Sequence, residues 1–152
     1  MKKGEMLDKA LLIATNAHHG QFDKGGNPYI LHPLKVMHYL KTDDEELQAI
    51  AVLHDVLEDC NVTCDDLYSI GMTHRVILGV KALTKVGGQS RDEYLEAIKN
   101  NRDASLVKLQ DLRHNTDIRR LKGVTQKDIE RVQKYHEMYL EIKQNLENKY
   151  GE

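Results

Sequence analysis

The residues best suited to chemistry stand in the stretch 49–59, AIAVLHDVLED, where an apolar run carries His54-Asp55 and then Glu58-Asp59. With Ala51, Val52, Leu53, Val56 and Leu57, a helix here is apolar on nearly every side and belongs in the interior. Four ionisable groups within about two turns of such a helix are costly unless something compensates them. Residues four apart lie above one another, so His54 aligns with Glu58 and Asp55 with Asp59. His54 and Asp55 diverge by roughly 100° around the axis, so a cation between them takes a nitrogen from one and an oxygen from the other. The second row then points at whatever binds the cation's open side. That arrangement describes a metal site with an acid/base pair attached. Its rival is a surface helix end with solvated charges.

Two other stretches offer partners. Proline disfavours helical backbone in the residue before it and is favoured at the first helical position. His32-Pro33 therefore predicts His32 held extended at the mouth of a helix running to about residue 40, able to reach across. In VKLQDLRHN, Asp111 and Asn115 share a helical face, and Asp111 follows an apolar turn directly. A carboxylate so placed needs a partner, and a metal is a natural one. His32, His54, Asp55 and Asp111 together supply two imidazoles and two carboxylates. That set suits manganese, iron or zinc and leaves positions for water and substrate. Taken singly, each residue more often serves as a helix cap or a satisfied core histidine.

Composition narrows the alternatives. A chain of 152 residues, 40% hydrophobic and 30% charged, is that of one soluble globular domain. A net charge of −2 with no basic block gives no case for nucleic-acid binding, and seven Tyr, one Phe and no Trp make no stacking platform. No apolar run approaches the ~20 residues of a membrane span, and no signal-peptide core follows Met1-Lys2-Lys3; a cytoplasmic protein is expected. Cys60 and Cys64 lack a companion Cys/His set, which predicts reduced structural thiols. Oligomeric state leaves no mark on the sequence.

Almost nothing reads as strand. Helical periodicity runs over 5–19 and ends at Gly20; QFDKGGNP at 21–28 is a loop. A central helix is predicted over 44–59, a short one over 65–70 behind Thr63, and another over 73–83. Ser90 with Glu93 forms a capping box for a helix to about residue 99, Asp103 starts the next, and Thr125 caps the last. The stripe Ile129, Val132, Tyr139, Ile142 and Leu146 reads as core or subunit contact. His18 and His19 fall at a helix end, where imidazolium favours the dipole; His38, His74 and His136 have no ligand-spaced partner. His114, beside Asp111, reads equally as structural or as support to the ligands. Without repeat or linker, residues 1–152 form a single all-α domain.

In order and spacing, HHGQFDKGGNPYILHPLKV, AVLHDVLED, KALTK and VKLQDLRHN resemble the HD-type metal-dependent phosphohydrolases, above all the RelA/SpoT-type (p)ppGpp hydrolase domain and its stand-alone small alarmone hydrolases. The resemblance runs from about His18 to Asn115 and implies a compact helical bundle of the HD type. It implies that His32, His54, Asp55 and Asp111 bind Mn2+ or another divalent transition metal. It implies that Glu58 and Asp59 position and activate the attacking water, and that Lys24 and Asn115 contact a small-molecule nucleotide. The reaction implied is release of the 3′-pyrophosphate of guanosine tetra- or pentaphosphate. Two departures fall in the nucleotide-contacting segments: Asp23 and Gly25 flank Lys24 where the family has arginine and serine, and Ile118 replaces a threonine, with Thr116 nearby. Lys85, Arg113 and Lys122 are further candidates for offsetting substrate charge. The chain ends about where a hydrolase-only protein would. Three readings follow: this hydrolase, a phosphatase or pyrophosphatase for another nucleotide, and a catalytically idle nucleotide- or partner-binding domain.

Overall fold

A computed structural model describes every residue except Cys60, and of Asp59 the backbone alone. The expectation for the Cys60 thiol therefore lies outside the described residues; Cys64 is a free, half-buried thiol. In chain order the helices are α1 (Glu5–Ala17), α2 (Leu31–Leu40), α3 (Glu45–Leu53), α4 (Val56–Asp59), α5 (Cys64–Ser69), α6 (His74–Ala82), α7 (Arg91–Lys99), α8 (Arg102–Asn115) and α9 (Gln126–Tyr150). A 3-10 turn, Ile118–Arg120, follows α8. No strand occurs among the described residues, so the expected all-α architecture is the one observed.

The hydrophobic stretch within 44–53 becomes α3, and it is the hub. Ala49, Ile50, Ala51, Val52 and Leu53 are fully buried, and α1, α2, α6 and α8 pack around them. Each large apolar side chain so enclosed contributes roughly 1.5–3 kcal/mol. Gly79 permits a close crossing of α6 over α3: a Cβ there would lie 2.7 Å from Ile50 Cδ1 and would force Ile50 to shift. Caps set the helix starts. Thr63, Ser90 and Thr125 each form a capping box with the acidic residue three positions on. Glu45 caps a different helix, accepting the backbone N–H groups of Gly4, Met6 and Leu7 at the start of α1.

Two expectations about helix ends need correction. The predicted helix over 44–59 is two helices, broken at His54-Asp55. His54 Nδ1 donates to the Ala51 carbonyl at 2.7 Å, and the His54 N–H approaches the same oxygen at 3.5 Å. That carbonyl would serve the Asp55 N–H in a continuous helix. The imidazole displaces it, and the chain turns. His32, expected to be extended, lies inside the first turn of α2. Its N–H reaches the Tyr29 carbonyl at 2.9 Å, so the chain is already winding before Pro33, whose missing N–H costs nothing in a first turn.

Candidate active site

Helices α2, α3 and α8 pack against one another, and with the turn after α3 they bring four side chains together. His32 is 2% exposed and His54 likewise 2%, the most thoroughly buried histidines of the site. The ligand-capable atoms of His32, His54 and Asp55 lie within 4.8 Å of one another, a group able to hold a metal ion. Asp111 joins from α8: its Oδ1 lies 2.9 Å from His32 Nε2 and 3.4 Å from His54 Nε2. His54 Nε2 lies 3.0 Å from Asp55 Oδ2, which is 3.9 Å from His32 Nε2.

The donor set fits a divalent cation on two counts. First, His54 Nδ1 is committed to Ala51, and its buried Nε2 makes no hydrogen bond despite the two carboxylate oxygens beside it. Second, His32 Nδ1 meets His114 Nδ1 at 2.7 Å with the rings stacked. One of those nitrogens must carry the proton. If it is His32, its Nε2 lone pair faces the cluster, as a ligand histidine held by a neighbour requires. His114 suits the accepting role, since burial, then Arg120 and His32, push its pKa down to about 4.

The local field draws cations. Burial opposes ionisation of Asp55, yet His54 beside it outweighs this and holds the carboxyl at about 2. Burial likewise opposes charge on Asp111, but Lys108, His32 and His54 keep it well below the usual carboxylate range. For His54, burial is overcome by Asp55 and Asp111, which hold the imidazole well above its ordinary value. That pull acts on any cation at Nε2, proton or metal, and a metal would displace the proton.

Sequence reasoning missed the groups that hold these ligands. The Tyr29 hydroxyl donates to Asp55 Oδ2 at 2.5 Å, and its ring rests against His18. His18, at the C-cap of α1, is thus 2% exposed and bonded through Nδ1 to Gln21. Lys108 donates to Asp111 Oδ2 at 2.8 Å from beside the Tyr94 ring. Asn115 Nδ2 donates to Asp111 Oδ1 at 2.9 Å, so the residue expected to face a nucleotide also steadies a ligand. Tyr29 and Lys108 lie within quoted motifs, close to His32 and Asp111; that proximity was the available signal.

An inner cavity of about 370 Å³ opens over His54, Asp55 and Asp111, with Glu58, Lys85, Arg91 and Lys108 on its walls. Glu58 is exposed at its rim, and the Asp59 side chain lies outside the described residues. An outer cavity of about 310 Å³ shares Tyr29, Asn115 and Tyr135 with the inner one and carries Lys24 on its wall. Among the other cations, Lys85 lines the inner cavity, whereas the Arg113 guanidinium sits 3.9 Å over the Tyr39 ring. The Lys122 amine lies against Gly26 of the 21–28 loop.

Comparison with known proteins gives this geometry relatives. No family model matches the chain. Over 114 residues, 72% of its length, the chain is 39% identical to the guanosine-3′,5′-bis(diphosphate) 3′-pyrophosphohydrolase of Vibrio cholerae serotype O1. Over 112 residues, 70% of its length, it is 36% identical to the bifunctional (p)ppGpp synthase/hydrolase SpoT of Escherichia coli K12. Each alignment spans 16% of the relative, so the chain matches about one sixth of those proteins. A solved structure, described as a metazoan ortholog of SpoT that hydrolyzes ppGpp, superposes with a TM-score of 0.76 at 22% identity, covering 93% of this chain and 86% of that one. The helical arrangement is therefore that of a known all-α domain. The chain is an HD-type domain, homologous to part of the SpoT-type (p)ppGpp hydrolases.

Proposed function

We propose that the domain is a metal-dependent phosphohydrolase that releases pyrophosphate from the 3′ position of guanosine tetra- or pentaphosphate, the reaction named for its relatives. The observation that carries this reading is the convergence of His32, His54, Asp55 and Asp111, the last three lining a cavity walled by cations. These four residues would hold the ion, and Mn2+ suits a mixed imidazole and carboxylate set. When bound, such an ion neutralises charge growing on the phosphoryl oxygens and lowers the pKa of water.

The chain's own residues supply the rest. Glu58, which lines the inner cavity, would accept the proton of the attacking water, with Asp59 beside it in sequence. Lys85, Arg91 and Lys108 offset the charge of the pyrophosphate. The outer cavity, with Lys24 and Asn115, takes the nucleoside portion. Tyr29 and Lys108 keep Asp55 and Asp111 aimed inward, so less reorganisation is needed when substrate arrives.

The experiment is direct. Purified protein supplied with Mn2+ and ppGpp is expected to release pyrophosphate and leave guanosine 5′-diphosphate, and Asp55→Ala is expected to abolish the release. Turnover that survives Asp55→Ala would remove the metal centre from the reaction. Failure on ppGpp alongside turnover of another nucleotide would reassign the substrate and keep the centre.

A further inference from the structure

The side-chain amide of Asn115 is held at both ends. Its Nδ2 donates to Asp111 Oδ1 at 2.9 Å, the same oxygen that lies 2.9 Å from His32 Nε2. Its Oδ1 accepts from Arg120 Nη1 at 3.2 Å. A guanidinium only donates, an ionised carboxylate only accepts, and an amide has one end of each kind. The order Arg120, Asn115, Asp111 therefore satisfies all three groups, and it keeps the donating end of the amide turned to the ligand.

Arg120 is itself fixed in place. It stands in the 3-10 turn after α8, where Nη1 also donates to the His114 carbonyl at 3.1 Å. Its Nη2 donates to Asp23 Oδ2 at 3.2 Å, across 97 residues of sequence. Asp23 is anchored within the 21–28 loop, accepting the Asn27 N–H at 2.9 Å through its other oxygen. Loop and turn are seated against each other, since a Cβ on Gly25 would lie 2.4 Å from the Arg120 carbonyl. A run of hydrogen bonds thus leads from Asp23 through Arg120 and Asn115, all three lining the outer cavity, to Asp111 in the inner one.

We propose that Arg120 is a positioning residue for the metal centre: it holds the Asn115 amide against Asp111, and Asp23 holds Arg120. The inference rests on the metal site of the proposed phosphohydrolase and not on its substrate. Grip and charge act here in opposite directions. As a bare charge, Arg120 repels a second cation and weakens metal binding. As a grip, it stops Asn115 from swinging away from Asp111, and a charged donor on the amide oxygen strengthens the bond that the amide nitrogen makes. The sign of the response to its removal therefore separates the two roles.

The test is isothermal titration calorimetry of Mn2+ into the native protein, Asn115→Ala, Arg120→Gln and the double variant. Asn115→Ala is expected to weaken binding about tenfold and Arg120→Gln about fivefold. In the Asn115→Ala background, Arg120→Gln is expected to cost nothing further, because the grip has lost what it acts on. Arg120→Lys keeps the charge and loses the two-armed hold, so it is expected to weaken binding at least as much as Arg120→Gln; it also stands in if the glutamine variant does not fold. Affinity equal to or above native in either Arg120 variant, or a loss from Arg120→Gln that adds in full to that of Asn115→Ala, overturns the positioning role and leaves the metal site standing. A native protein that binds no Mn2+ overturns the proposal together with the site it rests on.

Discussion

The two ends of α3 each carry a cluster of charged groups, each completed by α8, and they resolve in opposite ways. At the N-terminal end, Asp44, Glu46 and Asp103 surround Arg75. Its Nε reaches Asp103 at 2.8 Å, and its Nη atoms reach Asp44, Glu46 and Asp103 between 2.8 and 3.3 Å. The carboxylates there are answered by a cation the chain itself provides. At the C-terminal end, carboxylate oxygens and imidazole nitrogens of His32, His54, Asp55 and Asp111 converge, and the buried His54 Nε2 makes no hydrogen bond. Lys108 satisfies only the outer oxygen of Asp111. A cluster that carries its own cation ties helices together. One whose donor atoms converge on a point is built for a ligand.

That contrast can be broken experimentally, most sharply at the ligand end. His54→Ala or Asp55→Ala is expected to weaken Mn2+ binding by more than about a hundredfold, measured by isothermal titration calorimetry. Saturating Mn2+, at about a hundred times its dissociation constant, should stabilise the native protein by about 2.7 kcal/mol. Chelation should remove that gain, and neither variant should show it. An equal gain in a variant would place the ion elsewhere.

Arg75→Met tests the other end. It leaves three carboxylates facing one another and is expected to cost about 1–3 kcal/mol in urea unfolding, reduced from the buried-pair range because Arg75 is 36% exposed. Turnover per folded molecule should be unchanged. Loss of activity without loss of stability would erase the distinction between the two clusters.

A smaller effect is expected from Tyr29→Phe, which removes the hydroxyl from Asp55 and retains the ring. Mn2+ affinity should fall about tenfold with stability little changed.

The smallest is a pH effect. Arg75, foremost, holds the Asp44 carboxyl below its ordinary value. Stability from that pair is present above the unfolded carboxylate pKa and is lost as pH falls through the lower folded value. Urea midpoints measured downward from pH 5 should therefore drop less steeply in Arg75→Met than in the native protein. Parallel slopes would show that Arg75 does not set the titration of Asp44.

Much of this architecture was legible from local rules. The capping boxes at Ser90 and Thr125 place α7 and α9 to within a residue, because a hydroxyl and a carboxylate three positions apart act within one turn. The ligand candidates were legible because a charged pair inside an apolar helix has to be compensated. The break after Leu53 was not, since it arises from a side-chain donor competing for a backbone carbonyl. Tyr29 and Lys108 escaped because a tyrosine in a loop or a lysine on a helix reads as ordinary until its partner's position is known. His18 lies at the end of α1 as expected, but its burial against Tyr29 was not legible, because helix ends are usually wet.

By itself the sequence determined most of the helices, several of their caps, the buried hub and the residue types fit to hold a cation, all consequences of interactions within a few positions of the chain. Tertiary structure alone decided that Asp111 meets His32, that Lys108 turns to Asp111 and that Arg120 closes on Asp23. His32 and Arg120 stand 79 and 97 residues from their partners. Over such separations local propensity carries no information, and the packing of α2, α3 and α8 fixes which charges face one another.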